Sequence, residues 1–159
     1  MTLHIREARV QDAPALAALW HEMAAFHAQH DPLWKIRRGG REEYAAAMQE
    51  VVRSKEQAVF VACEGDRPVG FVLAQLDRRA RVFAGGEHGL IADLAVTEAF
   101  RRRGVGERLL RRSMRWFSSQ GVKTVEVRVA TTNPLSAAFW RKMGFEPYMT
   151  LCRKKISSG

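Results

Sequence analysis

Residues 90–110 read LIADLAVTEAFRRRGVGERLL. The first seven are mostly apolar, the pattern of a strand buried on both faces. A short connection follows, and Arg101-Arg102-Arg103-Gly104-Val105-Gly106 then leads straight into a periodic segment. Leu109, Leu110, Met114 and Phe117 fall at helical spacing there, so a basic amphipathic helix is predicted over 105–120, with Gly121 at its C-terminal cap. Strand, glycine turn and helix together make a phosphate cradle. The first N–H groups of a helix lack partners, and the helix dipole adds partial positive charge. Glycines let an anion approach the backbone, and arginines supply charge-assisted hydrogen bonds. Taken alone, the same hexamer also reads as a solvated turn capping a helix.

Two familiar phosphate motifs are excluded. A Walker A loop needs Gly-Lys-Ser/Thr, whereas Gly106 is followed by Glu107 and Arg108. A dinucleotide fingerprint needs a third glycine where Leu109 stands, and Glu126, at ribose-contact spacing, reads as an ordinary outward-facing strand residue.

On the N-terminal side, 3–8 is a predicted strand. Asp12 is the expected N-cap of a helix that carries Leu16, Leu19, Trp20, Met23 and Phe26 and ends near His30. Residues 32–40 read as a loop and 42–54 as a second helix with Tyr44, Met48, Val51 and Val52 on one stripe. Strands 57–64 and 69–76 flank Gly65-Asp66-Arg67-Pro68, a hairpin signal. Residues 77–87 read as a connection. Beyond the central helix come a strand at 122–129, a helix from Asn133 to Met143, and a last strand at 145–154. The expected fold is a single α/β domain over 1–159, in the order β-α-α-β-β-β-α-β-α-β, a mixed sheet with helices on both faces.

Composition narrows the function classes. The chain has 159 residues and a net charge of +9, and 20 of its 26 basic residues are arginine, which favours anionic partners. Two cysteines, Cys63 and Cys152, are too few for a disulfide framework. No apolar run reaches the roughly 18 residues of a membrane helix, and the N-terminus has no signal-peptide pattern. A cytoplasmic protein without membrane attachment is expected. His21-Glu22 fails as a zinc motif because Ala25 stands where the second histidine belongs. His27, His30 and Asp31 read as a helix-end cluster, and no metal is expected.

Arg101-x-x-Gly104-x-Gly106 after an apolar strand resembles the acyl-CoA pyrophosphate motif of the GNAT superfamily of N-acetyltransferases. A second motif stands at the family's distance: Asn133-Pro-Leu-Ser136-Ala-Ala-Phe139-Trp140-Arg-Lys-Met-Gly144-Phe145. The element order fits as well, so the resemblance covers essentially the whole chain. It implies acetyl-CoA as co-substrate, held where the parallel strands at 90–96 and 122–129 splay apart. Leu94, Ala95 and Val96 would bind its pantetheine arm. Arg101, Arg102, Arg103, Gly104, Val105, Gly106 and Glu107 would surround its pyrophosphate, with Arg103 or Arg108 reaching towards the adenosine end. Asn133, Ser136, Phe139 and Trp140 complete the cofactor-binding set; Asn133 can serve as a helix N-cap at the same time.

The resemblance further implies direct attack by a primary amine on the thioester in a ternary complex, with the backbone of Val96 or Ala95 polarising the oxygen. Asp93, a carboxylate within an apolar run, is the leading candidate base; Glu87 and His88 are alternatives acting directly or through water. The family commonly has Tyr where this chain has Trp140, whose indole N–H is no useful acid. The thiolate therefore leaves unassisted, is protonated by water, or is served by Tyr148, Tyr44 or Cys152. The acceptor would be gripped by the first helices and the loop between them, where Trp34 lies. Family members are often dimeric, so a homodimer is compatible, though nothing in the sequence requires one. Two other classes remain: an acyl-CoA-binding module without catalysis, and a basic nucleic-acid-binding module. The latter is disfavoured because no helix-turn-helix, zinc spacing or interleaved aromatics accompany the arginines.

Overall fold

The structure, a computed structural model, describes residues 2–157. It divides after Arg128 into two compact units. The first carries β1 (Leu3–Glu7), α1 (Ala13–Ala28), α2 (Gly40–Arg53), β2 (Gln57–Glu64), β3 (Arg67–Arg78), β4 (Glu87–Val96), α3 (Val105–Ser119) and β5 (Val125–Val127). The second carries α4 (Pro134–Lys142).

The five strands form one sheet in sequence order. The first four are antiparallel neighbours, and β5 runs parallel to β4. Gly65 turns the β2–β3 hairpin at φ 58°, a conformation glycine adopts without steric cost. The middle of both hairpin strands is buried, so both faces of the sheet must be covered.

One face meets α1 and α2. Val59, Val61 and Cys63 of β2, Phe71 and Leu73 of β3 and Ala95 of β4 form a core with Leu16, Leu19 and Met48 from those helices. The other face meets α3, whose buried stripe includes Leu109 and Phe117. Two glycines let α3 lie close. A Cβ on Gly70 would sit 3.3 Å from Leu109, and one on Gly89 would sit 2.6 Å from the Phe117 ring. At the entry to α1 the Asp12 carboxylate accepts from both Arg6 guanidinium nitrogens (2.7 and 3.0 Å) and from the Arg9 N–H (2.7 Å). It closes a 3-10 turn at Val10–Asp12 instead of capping the helix with its side chain.

Several boundaries differ from the sequence expectation. The hairpin arm β3 runs on to Arg78, because it pairs with β4 as far as Glu87. The 32–40 loop contains a 3-10 turn at Pro32–Trp34, with Asp31 accepting from the Leu33 N–H, and α2 starts at Gly40. The strand expected at 122–129 shrinks to three residues, since only Gly89–Ile91 lie alongside it. The strand expected at 145–154 is absent. Alternating apolar residues make a strand only where a neighbour completes the ladder. Here Leu151 and Ile156 are 92% and 95% exposed, and residues 143–157 form no ladder.

Candidate active site

The site is built on a fault in β4. Leu73 pairs with Asp93, but the next residue, Ala74, pairs with Ile91, so Ala92 is an extra, bulged residue. In an unbroken strand residues 91 and 93 share a face. The bulge cancels that. Ile91 stays on the α3 side, while Asp93 turns to the α1–α2 side beside Ala95.

There Asp93 meets the aromatic layer between the helices. The Tyr44 hydroxyl donates to Asp93 Oδ2 at 3.0 Å, and the Tyr44 ring stacks on Trp20 with centroids 4.2 Å apart and planes 6° from parallel. Burial pushes the Asp93 carboxyl above the usual carboxylate range, and the Tyr44 hydrogen bond opposes this. Burial, and then the neighbouring carboxylate, raise the Tyr44 phenol, which stays protonated.

Beyond the bulge β4 has an open edge. The Thr97 N–H donates to the Val69 carbonyl at 2.9 Å, so Thr97 and Val69 are a hydrogen-bonded pair. Alternation makes Ala95–Phe71 the next such pair. The N–H and C=O of Leu94 and Val96 therefore point away from β3. On that side β5 accompanies β4 only along Gly89–Ile91. The Val96 carbonyl accepts from Arg101 Nε at 2.9 Å. The peptide groups of Leu94 and the Val96 N–H face an edge that no strand of the described residues occupies. Ala95, expected with them, directs its peptide groups to Phe71 and its side chain into the core.

The open edge leads into the α3 N-terminus. A 3-10 turn at Glu98–Phe100 precedes it, Arg102 adopts φ 59° and Gly104 φ 74°. No side chain caps α3, and its first helical bond is from the Arg108 N–H to the Gly104 carbonyl. The N–H groups of Val105, Gly106 and Glu107 are thus left to an outside acceptor. A Cβ on Gly104 would meet nothing within 4 Å, so the space above the turn is open. Such donors fit an anion such as a diphosphate.

The arginines of this loop divide their work. Arg101 turns inward to Val96 and Glu22 and lies over the Phe26 ring, which fixes the loop. Arg103 stacks on Phe100, while Arg102 and Arg103 are exposed. Arg108 donates to the Leu3 carbonyl at 3.1 Å, towards β1 and not towards the α3 N-terminus. Glu107 pairs with Arg111. Glu22 is a residue the sequence reading missed. Its carboxylate accepts from Thr97 Oγ1 (3.0 Å) and the Glu98 N–H (2.9 Å), tying α1 to the end of β4. Partners 75 and 76 residues away leave no local signal.

Glu87 and His88 lie elsewhere. Glu87 is six residues from Asp93, roughly 20 Å along the strand, and pairs with Arg78 at 3.1 Å. His88 is buried with Nε2 2.7 Å from Glu126, which also pairs with Arg79. Glu126, read as an outward-facing residue, is thereby drawn into a pair with a buried imidazole. Neither Glu87 nor His88 is brought to Asp93.

Asn133 is buried and caps α4, its side chain accepting from the Ser136 N–H at 3.3 Å. Trp140 is buried edge-on between Phe139 and Phe145. Tyr148 is 65% exposed.

In the first unit, a cavity of about 470 Å³ opens between α1, the 32–36 segment and α2, with Trp20, Trp34 and Tyr44 in its wall. Among the described residues no group of three or more His, Cys, Asp or Glu is arranged to hold a metal ion, and no helix is long and apolar enough to cross a membrane.

The sequence model of the acetyltransferase (GNAT) family matches residues 16–145. A 95-residue stretch is 28% identical to N-alpha-acetyltransferase 30 of Schizosaccharomyces pombe, covering 59% of this chain and 61% of that protein. The match thus spans less than two thirds of that curated relative. A mutant of the BH1408 protein of Bacillus halodurans superposes with a TM-score of 0.85 at 20% identity, over 97% of this chain and 99% of that one. The aminoglycoside N-acetyltransferase AAC(6')-Iy, solved with CoA, gives 0.76 at 18% identity, over 98% and 95%. At such identities the solved structures establish a shared fold. The family match covers most of the chain, including the whole of the bulged strand and of the uncapped helix, and the chain belongs to the acetyltransferase (GNAT) family.

Proposed function

We propose that this chain is an N-acetyltransferase that moves the acetyl group of acetyl-CoA to a primary amine by direct attack in a ternary complex, both units acting as one catalytic domain. The observation that carries this reading is the open edge of β4 running into an uncapped α3 N-terminus. Acetyl-CoA supplies the acetyl group as a thioester. A C–N bond to the amine forms and the C–S bond breaks; the amine loses a proton and the leaving sulfur gains one.

The chain's own groups take three parts. The N–H groups of Val105, Gly106 and Glu107 receive the pyrophosphate, with Arg102 and Arg103 as outer counter-charges. The peptide groups of Leu94 hold the pantetheine amides as a substitute strand, and the Val96 N–H stabilises the thioester oxygen. Asp93 takes the amine proton directly or through one water. Its burial suits it to that task, because a base near the working pH transfers protons most effectively. In the second unit, Asn133, Ser136, Phe139 and Trp140 are the residues that the family's second motif assigns to the pantetheine, and Tyr148 is the candidate acid for the leaving sulfur. Tyr148→Phe tests that role by its effect on kcat.

The central test is thermal. Acetyl-CoA should raise Tm through mass action on the folded state. Gly104→Leu places a side chain in the open space above the turn and should abolish the rise. The positive φ also strains this variant, so its Tm without ligand is measured in parallel. A rise unchanged from the parent protein refutes the cradle.

One observation favours a nucleic-acid-binding reading. A groove of about 330 Å³ between β1 and α3 is lined by Ile5, Arg108, Arg111, Arg112 and Arg115. Three of these guanidinium groups already have partners within the chain: the Leu3 carbonyl, Glu107, and Glu7 with the Phe60 ring. Salt-dependent binding of DNA without any acetyl-CoA effect would favour this reading.

A further inference from the structure

Arg108, Arg111, Arg112 and Arg115 recur at helical spacing, so they share one face of α3. With Ile5 they line the groove between that face and β1. Two of them serve the fold. Arg112 lies over the Phe60 ring at 4.0 Å and 3.6 Å from Glu7, and Arg108 donates to the Leu3 carbonyl. Arg111 and Arg115 are exposed. Arg111 pairs with Glu107, one turn back on its own helix, and Arg115 has no carboxylate partner among the described residues. Glu64, opposite Leu3 on β2, forms no ion pair with this stripe.

The groove runs beside the edge of the sheet. β1 is the outermost strand on that side, and no strand of the described residues pairs with its outer edge. The Ala8 N–H donates to the Val59 carbonyl at 2.9 Å, one step beyond the Glu7–Phe60 pair. Alternation then makes Arg6–Val61 and His4–Cys63 hydrogen-bonded pairs. The peptide groups of Leu3, Ile5 and Glu7 therefore point outward, and Arg108 reaches the Leu3 carbonyl from that side. Arg6 takes the Glu7 carbonyl at 3.0 Å. Ile5 keeps both its N–H and its C=O, the donor and acceptor that an added strand pairs with, and its side chain stands on the arginine side.

The chemistry of this edge selects among occupants. A second copy of the chain, pairing β1 with β1 about a two-fold axis perpendicular to the sheet, would set one arginine stripe against another, and like charges oppose that. A DNA backbone offers acceptors to the guanidinium groups but no donor to the Ile5 carbonyl, and the lining holds no aromatic side chain for a base. An extended polypeptide supplies partners for both Ile5 groups. Its side chains alternate, so every second one faces α3, and carboxylates at those positions meet Arg111 and Arg115. We propose that the outer edge of β1, with the arginine face of α3 beside it, is a docking site for an acidic extended segment of a partner protein, which adds to the sheet as a strand with carboxylates at alternate positions.

The test is fluorescence anisotropy with the full chain and dye-tagged nonapeptides. A peptide of alternating threonine and glutamate should bind, and more weakly as salt rises. A peptide of equal composition with its glutamates in one block should bind about tenfold more weakly. N-methylation of the glutamate nitrogens, which face β1 in this register, should cost about tenfold through lost hydrogen bonds, and N-methylation of the threonine nitrogens should cost little. Arg111→Ala with Arg115→Ala should weaken binding about tenfold, with Tm recorded to establish that the variant folds. The peptide changes leave the protein untouched and decide the matter if it does not. No binding makes the arginines a guard on a bare edge and overturns the proposal. Equal binding of the block peptide or of the glutamate-methylated peptide overturns it as well, as does tighter binding of a DNA oligonucleotide of equal charge.

Discussion

The two halves of β4 handle charge in opposite ways. In the half from Glu87 to Ile91 the strand has neighbours on both sides along Gly89–Ile91, and the ionisable groups there are matched: Glu87 with Arg78, and His88 with Glu126 of β5, which also meets Arg79. From Ala92 to Val96 the β5 side is open, and the one carboxylate, Asp93, has a neutral phenol as its hydrogen-bond donor. Paired charges hold structure. A buried carboxylate without a counter-charge costs stability and gains basicity, which is the usual mark of a working group. Half of one strand is built to stay closed, and the other half to receive.

The largest expected effect strikes the open half. Asp93→Asn should lower kcat/KM about a hundredfold, within the range for loss of a general base. It should also raise Tm near neutral pH. The sign follows from the raised carboxyl. A carboxyl whose pKa is higher in the folded state favours folding fully below the unfolded value, and this contribution is lost as pH rises through the folded value. The parent protein should therefore lose some stability across that window, and Asp93→Asn should not, as pH-dependent melting would record. A variant that keeps full activity removes Asp93 as base.

The next effect belongs to the closed half. Gly89→Ala puts a Cβ 2.6 Å from the Phe117 ring and should destabilise by about 2 kcal/mol, as overpacking does. Denaturant titration measures this, and activity per folded molecule should change little. Tyr44→Phe should cost about tenfold in kcat/KM. The Tyr44 hydrogen bond lowers the Asp93 carboxyl, so its loss should move the acidic limb of the pH–rate profile upward. An unmoved limb would separate Tyr44 from the base. Trp140→Phe should retain most of kcat if the indole only packs between its aromatic neighbours; a thousandfold loss would give it chemistry. Smallest is Arg102→Gly, which relieves the positive φ and should add about 0.5–1 kcal/mol of stability, visible as a small rise in Tm.

Much of this architecture was legible because its signals are local. The apolar run at 90–96, the glycines at 104 and 106, the hairpin turn at Gly65 and the cap at Asn133 each lie within a few residues of what they determine. The bulge was not legible, because Ala92 carries no preference that marks an extra residue. The pairing of Tyr44 with Asp93 joins positions 49 apart, and the anchoring of Thr97 by Glu22 spans 75. Such contacts follow from how α1 and α2 lie on the sheet, which periodicity within either helix does not specify. The strand expected at 145–154 failed for a related reason: alternation shows which side chains would share a face, but not whether any edge is there to receive them.

The odd residue at 92 also sets what the gene can tolerate. Loss of one codon in most surface turns shortens a connection. Loss of this codon would only merge Ile91 and Asp93 into regular alternation, with Ile91 still towards α3 and the carboxylate still beneath Tyr44. A codon gained opposite it, between Leu73 and Ala74 of β3, would instead give Ala92 a partner, put residues 91 and 93 on one face, and leave the two halves of the sheet at odds over which side each helix covers.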